Sequence, residues 1–253
     1  MSATNSQVTK SAEQSVALGK QVPKVSFIVP AFNEESSLPD CLSSLRSCGV
    51  ASFEILVVDN NSTDETASIA KDLCDRVIPC AIQGIAAARN EGARHANGEF
   101  LAFIDADARV DKGWLDSALS HASRSGVVTG WNYFRESNPI LALYFNSYCF
   151  VFFVLQLASA LIGSSVVAGN NLLIRRDLFE QSGGFPCYVG EDVKLAKILA
   201  ARNVSATLSL GMRIGYSSRR FRKQGFLRTM RLWVASVFFD IPEHDYRLDY
   251  TKS

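Results

Sequence analysis

Strand-like and helix-like segments alternate four times in the first 130 residues, and each apolar run breaks off in a polar turn. Residues 25–29, ending at Pro30, read as a buried strand. So do residues 53–58, 100–104 and 126–130. Residues 36–46 carry Leu38, Leu42 and Leu45 on one helical face. Residues 63–73 place Asp64 and Glu65 in a first helical turn, where the dipole favours acids. Residues 85–96 are helical by their alanine content, and 112–123 form a further helix. This order predicts an α/β fold: a doubly wound, mostly parallel sheet flanked by helices. Ligands of such sheets bind beyond the carboxyl ends of the strands, so the residues just after each strand are the informative ones.

Those residues are acids and amides. Pro30-Ala31-Phe32-Asn33-Glu34-Glu35 follows the first strand, Asp59-Asn60-Asn61 the second, and Asp105-Ala106-Asp107 the strand at 100–104. Carboxylates gathered on one rim repel one another unless a cation or hydrogen-bond donors stand among them. In extended chain, residues i and i+2 point the same way, so Asp105 and Asp107 share a side and Ala106 takes the other. Two hard oxygen donors so placed suit Mg²⁺ or Mn²⁺, with phosphate oxygens and water completing the shell. The plainer reading is a polar turn whose aspartates cap the next helix.

Composition excludes several classes. Among 253 residues, 47% are hydrophobic and 20% charged, with a net charge of +1, which rules out disordered, collagenous and disulfide-scaffold chains. Six cysteines without a C-x-x-C pair, and three histidines, do not make a zinc site, and reduced thiols in a cytosolic protein are expected. Residues 1–22 form a polar tail with no apolar core of a signal peptide. The charge is unevenly spread, with no Asp or Glu from Val193 to Phe239 and ten Lys or Arg there. No charged residue occurs from Ser137 to Ile174. By length, residues 141–162 are a candidate membrane span. Asn146, Ser147 and Gln156 weaken that reading, and a span there would put Asp107 and Asp192 on opposite sides of a bilayer. A helix partly buried and partly laid on the membrane surface is expected instead. The basic, aromatic-rich segment 217–253 suits the same anionic surface, and nucleic acid is not the expected partner.

Four motifs now stand in order: V-S-F-I-V-P-A-F-N-E-E, V-V-D-N-N-S-T-D-E-T, A-R-N-E-G-A-R-x-A-x-G-E-F-L-A-F-I-D-A-D and G-G-F-P…G-E-D-V-K-L-A. Together they resemble the successive signatures of family 2 glycosyltransferases of GT-A fold, from about Lys24 to Arg202. The resemblance implies a GT-A domain at 23–216, with a nucleotide-binding half to about residue 110 and an acceptor half beyond it. It implies that Pro30, Ala31, Phe32 and Glu34 face the nucleotide, and that Asp59 and Asn60 stand where the family commonly reads uracil with a second acid. An asparagine departs from that pattern. Arg89 and Asn90 would lie near the diphosphate, and Asp105 and Asp107 would hold Mg²⁺ or Mn²⁺. Glu191 and Asp192 would form the catalytic pair, with Asp192 as the base of an inverting transfer. Gly169-Asn170-Asn171 resembles an acceptor-side element, and Arg219 and Arg220 a motif that closes over the donor diphosphate. The implied substrates are a nucleotide-sugar donor, a UDP-sugar first, and a lipid or glycan acceptor of the cell envelope. The implied location is the inner face of a membrane. The rivals are a membrane-surface nucleotide-sugar binding module with weak catalysis and a D-x-D phosphohydrolase. The second usually wants Thr or Val two residues after the motif, where this chain has Arg109.

Overall fold

The computed structural model describes residues 22–161 and 167–218. The tail to residue 21, residues 162–166 of the uncharged stretch, and the basic segment from Arg219, with Arg220, lie outside the described residues.

Among the described residues, eight strands make one sheet: β1 (Val25–Ala31), β2 (Phe53–Asp59), β3 (Arg76–Pro79), β4 (Phe100–Ile104), β5 (Ala108–Val110), β6 (Val127–Phe134), β7 (Asn171–Arg175) and β8 (Thr207–Tyr216). Their spatial order is β3-β2-β1-β4-β7-β6-β8-β5. The helices are α1 (Leu38–Arg46), α2 (Thr66–Leu73), α3 (Ile85–His95), α4 (Trp114–Ser125), α5 (Pro139–Leu161), α6 (Arg176–Ser182) and α7 (Glu191–Ala201). The run β3-β2-β1-β4 is parallel throughout, as the alternation predicts. Beyond β4, β7 pairs antiparallel to both β4 and β6, β8 runs parallel to β6, and β5 pairs antiparallel to β8.

Pro30 does not end the first strand. Ala31 O accepts the N–H of Asn60 on the β2 side, so Pro30, one residue earlier, turns its missing donor toward β4. The β4 ladder has already stopped at Ile28 and Phe103, and no hydrogen bond is lost.

Alternate strand residues feed two cores, one on each face of the sheet. Val25, Phe27 and Val29 of β1 pack with Ile55 and Val57 against Leu38, Leu42 and Leu45 of α1 and Trp114 of α4. Ile28, Leu56, Val58, Leu101 and Phe103 face the other way, toward Ala86 and Ala88 of α3 and Leu195 and Leu199 of α7. With both faces covered, each fully buried Phe, Ile or Leu contributes about 1.5–3 kcal/mol. The small residues of α3 let it lie close to the sheet. A Cβ on Gly92 would stand 2.4 Å from a methyl of Ile28.

β6 and β8 slip register between Gly130 and Trp131, which leaves carbonyls of the ladder without their regular partners. The buried side chain of Asn171 fills the gap. Its Nδ2 donates toward Trp131 O, Met212 O and Asn132 Oδ1, and its Oδ1 accepts from Trp114 Nε1. Of the G-N-N element, then, Asn171 is part of the core. Asn170 stays half-buried, its Oδ1 accepting from Asn132 Nδ2.

Within the uncharged stretch the sequence predicts a helix at 141–162, and Pro139–Leu161 forms α5. Its inner side is anchored by Phe145 and Cys149 against Phe134 and Tyr216, and Phe153 meets Trp131 edge to face at 4.7 Å. Ile140, Leu143, Tyr144, Phe150, Val151, Val154 and Leu157 lie exposed on the outside. Among the described residues, no helix is long and apolar enough to cross a membrane.

Candidate active site

The polar ends of β1, β2 and β4 lie side by side on one edge of the sheet, as the parallel pairing requires. The first two are laced together. Asn33 N donates to Ser62 Oγ, Thr63 N to Asn33 Oδ1, Glu34 N to Thr66 Oγ1 and Glu35 N to Asp64 Oδ2. Glu34 is itself buried and accepts from the Ser37 hydroxyl. Pro30 and Ala31 are buried in the sheet, Phe32 is half-buried, and Asp59 closes a turn by accepting from Ser62 N. Asn60 is 5% exposed and uses its amide on the chain at 80–84.

The D-x-D motif is not the extended segment expected: Asp105 to Ala108 is a turn between β4 and β5, closed by Ala108 N donating to Asp105 O. Asp105 and Asp107 are half-buried, while Ala106 and Ala108 are buried in the core between them. Under the motif, the buried Cys41 thiol donates to Asp105 O. Burial, then the nearby Asp107 and Asp105, push its pKa up, so it stays a neutral packing group. All six cysteines are free.

Arg89 joins the motifs. It is 2% exposed on α3, and its two terminal nitrogens bind Asp105 Oδ1, at 2.8 Å, and Glu191 Oε1. Glu191 is the first residue of α7, which comes from the far part of the chain. A guanidinium can hold two carboxylates at once because its donors form a fixed fork. Burial opposes the charge on Arg89. Asp105, Glu191 and Asp192 outweigh it and hold the pKa above the ordinary arginine value. The arginine therefore stays charged.

Asp192 completes the group. Its Oδ2 accepts from Gly169 N at 3.2 Å, and its Oδ1 from Val193 N at 2.8 Å. Burial raises its pKa above the ordinary aspartate value, against the Gly169 N–H and the charge of Arg89. Gly169 must be glycine for lack of room. A Cβ there would meet Arg89 Nη1 at 2.8 Å and Asp192 Cβ at 3.2 Å. The residue was visible in the G-N-N element, but its contact with Asp192 was not.

The side chain of Asn90 is bonded within the protein. Its Oδ1 accepts from Phe185 N and its Nδ2 donates to Phe185 O, while Arg89 lies over the Phe185 ring at 5.2 Å. The A-R-N and G-G-F motifs thus hold each other. Sequence reasoning missed a cavity of about 400 Å³ beside the D-x-D. Asp107 lines it with Ser36, Ser37, Asp40, Arg109, Arg135 and Ser217, and Arg109 pairs with Asp40 across it.

The residues fit a divalent cation. Asp105 and Asp107 are half-buried carboxylates at the same strand end, and Arg89 occupies only one oxygen of Asp105. No group of three or more ligating side chains is found among the described residues. A cation held by Asp105 and Asp107 would therefore complete its shell with water or ligand oxygens.

A mixed sheet whose parallel half ends in acids, flanked by helices on both faces, is the arrangement of a GT-A glycosyltransferase fold. Comparisons with known proteins agree. The family model described as glycosyl transferase family 2 matches residues 26–183, more than half of the chain, so the chain belongs to glycosyl transferase family 2. Glycosyltransferase AglE of Haloferax volcanii is 31% identical over 201 residues, 74% of this chain and 65% of AglE. The putative glycosyltransferase EpsH of Bacillus subtilis is 33% identical over 46% of this chain and 35% of its own. The chain thus spans less than two thirds of each. Among solved structures, the mannosyltransferase PcManGT of Pyrobaculum calidifontis, in complex with GDP-Man and Mn²⁺, superposes with a TM-score of 0.62 at 21% identity. That match covers 93% of this chain and 78% of PcManGT. S. aureus TarS 1–349 with UDP-GlcNAc gives 0.56 at 20% identity, over 77% of this chain and 58% of TarS.

Proposed function

We propose that the chain transfers a sugar from a nucleoside-diphosphate sugar, a UDP-sugar first, to an acceptor hydroxyl with inversion at the anomeric carbon. The observation that carries this reading is the Arg89 bridge, which ties the D-x-D to Glu191 beside a separately held Asp192. The rim of Pro30, Ala31, Phe32, Glu34 and Asp59 would receive the nucleoside. Asp105 and Asp107 would hold Mg²⁺ or Mn²⁺, which supplies positive charge to the leaving diphosphate. Asp192 takes the proton of the acceptor hydroxyl as its oxygen bonds to the anomeric carbon. The bond from that carbon to the diphosphate breaks on the opposite face, and the electron pair leaves with the nucleoside diphosphate. Burial makes Asp192 a stronger base than an exposed aspartate. Arg219 and Arg220 start one residue after the described Ser218, close in sequence to the cavity-lining Ser217, and would add charge at the diphosphate.

The donor claim is tested by melting the full chain with a panel of nucleotide sugars and Mg²⁺ or Mn²⁺. A true donor at a hundredfold excess over its Kd stabilises the fold by about 2.7 kcal/mol, a rise of several degrees. No response to any nucleoside diphosphate or its sugar overturns the claim.

The acceptor is proposed to be a lipid or a membrane-presented glycan, met from the inner face of the membrane. Support comes from α5, which has no charged residue and turns Leu143, Phe150, Val151 and Val154 outward, and from the basic residues after Ser218. Flotation with phosphatidylcholine vesicles containing phosphatidylglycerol should carry the full chain upward, and Leu143→Asp with Phe150→Asp should abolish this. A wild-type chain that stays at the bottom of the gradient removes the membrane contact.

A further inference from the structure

We infer that Asn60 positions the nucleoside-binding loop and does not read the base, so base selectivity is set elsewhere on the rim. This rests on the donor reading above and deepens it. The side-chain amide of Asn60 is spent inside the protein. Nδ2 donates to Cys80 O at 3.1 Å and to Ile82 O at 2.8 Å, which uses both of its hydrogens. Oδ1 accepts from Gly84 N at 2.7 Å. The backbone N–H of Asn60 goes to Ala31 O, and Cys80 N goes to Asp59 O. One residue, 5% exposed, thus joins the ends of β1, β2 and β3 and the start of α3.

Base edges such as those of uracil and guanine offer a ring N–H next to a carbonyl, so an acceptor reads the first and a donor the second. The accepting oxygen of Asn60 is turned to Gly84 N, in a residue 5% exposed. Asn60 has no donor left. The loop that it holds does have some. The backbone N–H groups of Ala81, Ile82 and Gln83 have no partner among the described residues, whereas the carbonyls of Cys80, Ala81 and Ile82 are all taken. The asparagine also has a physical reason to replace an acid here. A carboxylate would put negative oxygen against the two carbonyls that Nδ2 now binds, and only the Gly84 N–H would remain as a partner.

The test uses the full chain with UDP, GDP, ADP and CDP in the presence of Mn²⁺, with calorimetry on wild type, Asn60→Asp and Asn60→Ser. Serine removes the amide without adding a charge, which guards against a variant that fails to fold. Loss of two hydrogen bonds of ordinary strength corresponds to a fall in affinity of about tenfold or more. That fall should be shared, within about twofold, by every nucleotide that binds wild type, so that the rank order is kept. Deuterium uptake at residues 80–84 should rise in both variants without any ligand. A changed rank order, with one base gained or lost selectively, overturns the inference, as does unchanged uptake with unchanged affinity. If wild type binds none of the four, the donor reading itself has failed and the base-selectivity claim falls with it. The exchange measurement still separates that failure from failure of the loop-holding role.

Discussion

Asp192→Asn is expected to lower sugar transfer by about a thousandfold while nucleotide binding persists, the size of effect associated with a positioned general base. The two side chains have the same shape, and the carboxylate is set by two backbone donors, Gly169 N and Val193 N, one on each oxygen. Asparagine keeps one of these bonds and turns its NH₂ toward the other donor. It also removes a carboxylate whose ionisation burial opposes. These changes offset, and the melting temperature should move by only a few degrees. The sign of the pH effect follows from the raised pKa. In the folded state Asp192 holds its proton to a higher pH than in the unfolded chain. Its ionisation therefore costs stability as pH rises from about 4 through the folded value, and the cost is absent below that window. For the same reason the acid limb of transfer should lie above the pH of about 4 expected for an exposed aspartate. Transfer rates, nucleotide calorimetry and melting at several pH values check the set. Unaltered transfer by the asparagine variant removes the base assignment.

Loss of Arg89 is expected to be the most damaging single change to stability. Arg89→Ala leaves Asp105 and Glu191 half-buried without their cation, and breaking one partner out of such a group costs about 3–5 kcal/mol. Arg89→Lys should be nearly as harmful to transfer and milder to folding. A single ammonium keeps the charge but lacks the fork that spans two carboxylates. Urea unfolding of both variants, with transfer assayed at a temperature where each is folded, distinguishes the two effects. A lysine variant with wild-type transfer would show that the bridge is not needed to place Asp105 and Glu191.

The sequence was most legible where one face or one alternation decides the outcome. The parallel strands β1, β2 and β4 are runs of buried apolar residues that break off in polar residues. Strands with weaker patterns escaped. β3 has four residues, two of them exposed, and β5 has three. β8 has only four buried positions among ten, with Gly211 and Arg213 in its middle, and its alternation is broken where the register slips against β6. At the site, the residue types were readable but their partners were not. Nothing local distinguishes an Asn60 that faces a ligand from one that faces the carbonyls of Cys80 and Ile82, twenty or more positions away. Arg89 likewise meets Glu191 across 102 positions, a contact made only by the folding of α7 against the sheet. Membership of a family supplied the alignment of motifs. Only packing supplied which of them grip one another.

The grip between Asn90 and Phe185 limits how this scaffold can be recombined. Gly184 sits at φ 81°, a backbone setting suited to glycine, and a side chain there would strike Asn90 Oδ1 at 2.6 Å. Asn90 in turn fills both backbone positions of the next residue. Helix α3 and the loop after α6 are thus keyed to each other, much as a tongue fits one groove. A chimera that exchanges the segment after α6 for that of a relative must bring the relative's α3 with it, or keep this pair of residues in both halves.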